Sequence, residues 1–169
     1  MTPAAVPPGC DAVAAAIARL DAQPRVVLRV AVEHGHSPDG VRRLEIRRAD
    51  GLQTLVLDGR ALRAAPGEER ASDTLRLAPE GDCEHDARAT SADTAVLRYD
   101  AWAERGSARI TLWVALATGL PRAALRESAE LAWGRALSRP TRPPQPVLRP
   151  TGGRLVERID IDYPAAARP

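Results

Sequence analysis

The chain has 169 residues, with 24 basic side chains, all arginine, against 22 acidic ones. That length suits one domain with a sizeable core. A net charge of +2, with arginines scattered and not interleaved with aromatics, argues against a nucleic-acid partner, and no apolar run reaches the ~18 residues of a membrane helix. Phe, Lys and Asn are absent. All three share AT-rich codons, so GC-rich coding explains the arginine content better than phosphate binding does, and the core must come from Leu, Val, Ala and Ile.

Residues 1–9 are expected to be a flexible N-terminus. The start, MTPAAVPPGCDAV, lacks a charged segment followed by an apolar one. It suits either a cytosolic chain or an exported one without its signal peptide. Pro7 occupies the place where a lipid-attachment motif ending at Cys10 would carry an apolar residue, which disfavours acylation there. Cys10 and Cys83 are the only cysteines; by themselves they suit one disulfide or two unrelated thiols equally.

CDAVAAAIARLDAQP predicts an amphipathic helix, with Asp11 as N-cap, Val13, Ile17 and Leu20 on one face, and Pro24 beyond the end. The period then changes to two. RVVLRVAV puts Val26, Leu28, Val30 and Val32 on one face and Arg25 and Arg29 on the other. Ser37-Pro38-Asp39-Gly40 is a turn. In VRRLEIRR, Leu44 and Ile46 oppose Arg43, Glu45 and Arg47. Asp50-Gly51 and Asp58-Gly59 predict two hairpins, pairing 41–48 with 52–57 and 52–57 with about 60–64. Residues 65–73 are expected to form a polar loop, 74–79 a short strand, and 80–93, containing Cys83, a second loop.

TAVLRYDAWAERGSARITLWVALA predicts a long hairpin turning at Arg105-Gly106-Ser107. Its second arm is apolar at every position from Leu112 to Ala117 and stops at Gly119-Leu120-Pro121. Residues 121–138 favour helix by propensity, whereas their place between strands favours continuation of a meander. Residues 139–153 carry five prolines and are expected to be a loop. RLVERIDIDY is the last strand, with Leu155, Ile159, Ile161 and Tyr163 on one face.

An opening helix that ends before a proline, then a strand near residue 25, is one part of a recognisable layout. Strand, Gly119-Leu120-Pro121 and a basic-flanked strand form another, together with Cys83 before a strand carrying Tyr99, and Tyr163-Pro164-Ala165 at the end. This layout resembles the periplasmic family of the lipoprotein carrier LolA. The resemblance implies a single domain, 1–169, that is mainly β with α: a curved antiparallel sheet, or half-open barrel, covered by an N-terminal helix and loops. It also implies a periplasmic location with the signal peptide absent, pairing of Cys10 with Cys83, no enzymatic activity, no cofactor, and attachment to a membrane that is peripheral at most. The implied ligand is a lipid, acyl chain or lipoprotein in an apolar concavity. In the resulting fold Ile110, Leu112, Val114 and Leu116 face that concavity, Trp113 lies on the convex side, and 121–138 is strand. Val26, Leu28, Val30, Leu44, Ile46, Leu112, Val114, Ile159 and Ile161 are the candidate groove residues. A rival expectation is a protein-interaction module with a filled core: an inhibitor, immunity protein or envelope-assembly factor.

Other chemistry is weaker. His34 and His36 share a face by spacing, and Cys83, His85 and Asp86 add potential zinc ligands, but the histidine pair sits at a hairpin tip and is expected to be exposed, so no metal is expected. None of the serines lies in a nucleophile elbow, and no phosphate-binding loop is present. Asp160 and Asp162 alternate with isoleucines and are expected to meet Arg25, Arg29, Arg43 and Arg47 on a solvated outer face.

Overall fold

A computed structural model describes residues 9–67, 69–135 and 146–165. Ten strands form one antiparallel sheet that does not close. In chain order the elements are α1 (Cys10–Asp21), β1 (Arg25–His34), β2 (Arg43–Ala49), β3 (Leu52–Leu57), β4 (Arg60–Ala61), β5 (Ala65–Pro66), α2 (Ala71–Thr74), β6 (Pro79–His85), β7 (Thr94–Trp102), β8 (Ser107–Ala115), β9 (Pro121–Arg135) and β10 (Pro146–Asp162). Across the sheet the order is β4-β3-β2-β1-β10-β9-β8-β7-β6, with β5 paired to β3. Every neighbour is a hairpin partner except β10, which returns to pair with β1 between the two halves.

The period-two pattern translates directly into register. Val30 faces Leu44 and Ile159, and Leu28 faces Ile46 and Ile161. On the other half, Leu97 faces Leu112, and Leu112 faces Ala124. All these side chains lie on the concave face. α1 lays Val13, Ala16 and Leu20 into it, and the core runs continuously through Leu28, Tyr99, Ile110, Leu112 and Ile161. Helix α1 starts two residues earlier than an Asp11 N-cap would place it. Gly9 is the N-cap, and Asp11 lies in the first turn, where its charge meets the positive end of the helix dipole without capping a backbone N–H.

Three fasteners hold α1 and α2 over the sheet. Cys10, the first residue of α1, is disulfide-bonded to Cys83 on β6. Asp21, the last residue of α1, accepts from the backbone N–H and the hydroxyl of Ser72 at 2.9 and 2.5 Å. Arg19 donates to the carbonyl of Thr118 at 3.1 Å, and Gly119 leaves room for that side chain: a Cβ there would come within 2.8 Å of it. The disulfide places the protein outside the reducing cytoplasm.

Several local expectations yield to tertiary structure. Residues 121–135 are strand because β8 pairs with 121–127 on one side and β10 with 123–135 on the other, overriding helix propensity. Residues 74–78 are not strand. The alternation of Leu75 and Leu77 comes from burying two plugs beneath α1, with Arg76 between them in the left-handed region at φ 53°. The expected loop 80–93 contains β6 through His85. Its acidic, glycine-bearing sequence suits an edge strand, which has one neighbour and resists further pairing. The expected loop 139–153 is strand from Pro146 onward, while 139–145 lie outside the described residues, as do 1–8 of the expected flexible N-terminus. Pro146 and Pro150 are tolerated because that part of β10 pairs only with β9.

Breaking the disulfide by Cys10→Ser with Cys83→Ser should cost about 2–5 kcal/mol, measured as a drop in denaturant midpoint that matches the effect of reductant on the unmutated protein. Equal midpoints with and without reductant would contradict the tether. Tyr99 is fully buried and donates to the Leu77 carbonyl at 2.7 Å. Tyr99→Phe should therefore cost about 1–3 kcal/mol in the same assay, because it strands a buried acceptor.

Candidate ligand groove on the concave face

α1 and the 71–77 segment fill one part of the concavity and leave another open. The open part is a groove of about 350 Å³. Val30, Leu44, Ile46 and Ile159 form its sheet wall, Leu75 closes one side, and Leu131, Trp133, Leu148 and Leu155 extend it along β9 and β10.

Of the nine candidate groove residues, four (Val30, Leu44, Ile46 and Ile159) line this opening. The other five, Val26, Leu28, Leu112, Val114 and Ile161, belong to the closed core, exposed by 7% or less. The two sets share rows of the sheet: Leu112 is level with Leu44, Val30 and Ile159, and Ile46 with Leu28 and Ile161. Ile46 and Ile159 are themselves buried core residues that border the opening. Trp113 is half-buried on the convex face, lining a shallow hollow with Arg122, Ala123 and Arg158.

One row of the concave wall departs from the apolar rule. From strand to strand it runs Cys83, Tyr99, Ile110, Arg126, Glu157, Val32. Arg126 and Glu157 thus stand directly opposite each other, and both line the groove. Arg126 is only 6% exposed. Its Nη2 donates to the Trp102 carbonyl at 2.7 Å, and its buried Nη1 has no hydrogen-bond partner among the described residues. Burial pushes the Arg126 pKa down, an effect that Glu157 opposes and Arg76 reinforces. Burial pushes the Glu157 pKa up; Arg126 and Arg76 oppose this, and Asp39 adds to it. The Arg76 guanidinium lies 5.2 Å from the centre of the Trp102 ring. Arg76, Arg105 and Arg126 are matched by Asp39, Glu104 and Glu157 among the lining residues, so the groove combines apolar walls with a nearly balanced charged flank.

Sequence reasoning overlooked this pair. The signal lay in the alternation Leu155-Glu157-Ile159-Ile161, where one charged residue occupies an inward position, and in Ala124-Arg126-Ser128 opposite it.

The other candidates are separate. His34 and His36 are exposed at the end of β1, and His85, on β6 with four strands between, bonds Thr90. Cys83 is committed to the disulfide. No group of three or more His, Cys, Asp or Glu side chains is arranged to hold a metal among the described residues. On the convex face Arg29 pairs with Asp162 and with Glu45, Arg47 with Glu45, and Arg158 with Asp160. Arg25 instead reaches Asp50.

At the groove's upper edge, Glu130 clamps the β1–β2 hairpin. It accepts from the His36 backbone N–H at 2.7 Å and from the Thr151 hydroxyl at 2.6 Å, and these bonds hold its pKa below the ordinary glutamate range. Gly35 permits the approach: a Cβ there would meet the Arg154 carbonyl at 2.3 Å.

Comparison of the chain with protein-family models, curated proteins and solved structures finds no match.

Glu157 has a testable pH signature. Its folded pKa lies above the ordinary value of 4.5, so the folded state holds this proton more tightly than the unfolded state. Its contribution to stability therefore falls as pH rises from that value through the raised folded pKa. Glu130, Asp86 and Asp93 act oppositely, since their lowered pKa values remove stability as pH falls. Subtracting the stability–pH curve of Glu157→Gln from that of the unmutated protein should leave a component that declines with rising pH. A flat difference would show that Glu157 is solvated like an ordinary glutamate.

Proposed function

We propose that the chain is a non-enzymatic envelope protein of the periplasm that binds a lipid, an acyl chain or the acyl group of a lipoprotein in its concave groove. The observation that carries this reading is the open groove of about 350 Å³, with an apolar wall and a charged flank, beside the hydrophobic core. Its volume lies within the range of small-molecule sites, and its apolar wall includes residues of β1, β2, β9 and β10. The disulfide, which indicates an oxidising compartment, supports the periplasmic part.

Affinity would come from apolar burial, about 2.5 kcal/mol per 100 Å². Arg126 adds a polar anchor. Its unpartnered Nη1 is a donor, and Glu157 opposite already offsets its charge. An uncharged acceptor, such as the carbonyl of an acyl ester, would complete the site without placing a second anion beside Glu157.

Native mass spectrometry with lipid extraction of protein purified from its own envelope should reveal a co-purifying lipid. In titrations with a fluorescent fatty-acyl ester, Ala129→Trp should weaken binding at least tenfold without lowering the melting temperature, because Ala129 is an exposed residue on the groove lining. Protein free of lipid, with no affinity for the probe, would favour the rival reading of a protein-interaction module.

A further inference from the structure

The β9–β10 hairpin is longer than the sheet that holds it. Pairing of β8 with β9 stops at Glu127, and pairing of β1 with β10 stops at Val156. Beyond those points 128–135 and 146–155 pair only with each other, as a two-stranded ribbon projecting from the sheet.

The sequence of this region differs from the rest of the chain. Residues 131–156 contain five arginines and no Asp or Glu. Removing these five from the 24 basic residues leaves 19 against 22 acidic ones, so the remainder of the chain is net negative. The positive excess of the protein therefore resides in this one stretch of sequence. Among its described side chains Arg149 and Arg154 are exposed; Arg154 also reaches Glu127 at 3.6 Å, whereas Arg149 makes no ion pair.

The ribbon also exposes apolar surface. Trp133 is 60% exposed, and its cross-strand partner is the half-buried Leu148. Both line the outer end of the groove. Pro146 and Pro150 remove backbone donors from β10, which disfavours addition of a partner's strand along that edge. An exposed tryptophan on one face of the ribbon and an exposed arginine on the other, on an element poorly suited to strand addition, match the chemistry of a lipid headgroup region into which the ribbon enters edge-on: indole prefers the membrane interface, and basic side chains are drawn to anionic lipid.

We propose that the β9–β10 ribbon docks the protein on an anionic bilayer surface, with Trp133 at the interface and Arg149 and Arg154 against the phosphates. Docking does not require the groove to hold a lipid. If it does, the ribbon brings the groove's outer end to the bilayer.

Vesicle flotation of the full chain tests this. Vesicles of phosphatidylcholine with phosphatidylglycerol should carry the protein at least tenfold better than phosphatidylcholine alone, and added salt should weaken the binding. Trp133→Ser and Arg149→Glu should each reduce partitioning at least fivefold with unchanged thermal melting, since both side chains are exposed. Trp133→Ser should also abolish most of the vesicle-dependent change in tryptophan fluorescence. Failure to float with phosphatidylglycerol, equal binding to both vesicle types, or binding insensitive to both substitutions would overturn the proposal. So would retention on an acidic protein surface without vesicle binding, which would assign the ribbon to a protein partner.

Discussion

The packing of α1 against one part of a curved, open sheet is the constraint from which the other features follow. An antiparallel sheet with one apolar face must cover that face, and α1 is a helix of 12 residues, too short to cover all of it. Cys10–Cys83 at its start, Arg19 toward Thr118 along its length and Asp21–Ser72 at its end fix which part it covers. Leu28 and Ile161 become core, Val30 and Leu44, on the same face, become half-buried groove wall, and Ile46 and Ile159 belong to the core and border the groove.

The charged pair at the groove follows from the same geometry. Arg126 and Glu157 occupy inward positions of adjacent central strands, where burial penalises both charges. A fully covered core would make such a pair costly. Beside an open groove, Glu157 stays half-buried and Arg126 keeps a donor unused. Buried charge at the edge of an apolar cleft is the kind of local inconsistency that marks binding sites more often than structural cores.

The groove and the ribbon occupy one continuous stretch of the molecule. Trp133 and Leu148 belong to both, and the basic excess of the sequence is concentrated there. One edge of the sheet carries β6, acidic and tethered by the disulfide, three strands from β9.

Much of this architecture was legible in the amino-acid order. Alternation in 25–32, 43–48 and 154–163, the Asp-Gly turns and the amphipathic α1 each determine local structure, because a side-chain period of two or 3.6 leaves few ways to bury the apolar face. The inward positions of Val30, Leu44, Ile46 and Ile159 follow from that period. Which inward residues border the groove could not follow from it, since the period is identical for all of them. Tertiary pairing alone made 121–135 a strand against its helical propensity, turned the acidic 79–85 into an edge strand, and folded Leu75 and Leu77 into plugs. It also brought Arg126 opposite Glu157 from 31 positions away in the chain. Each of these outcomes depends on a neighbour distant in sequence, and local pattern holds no record of what lies across the sheet.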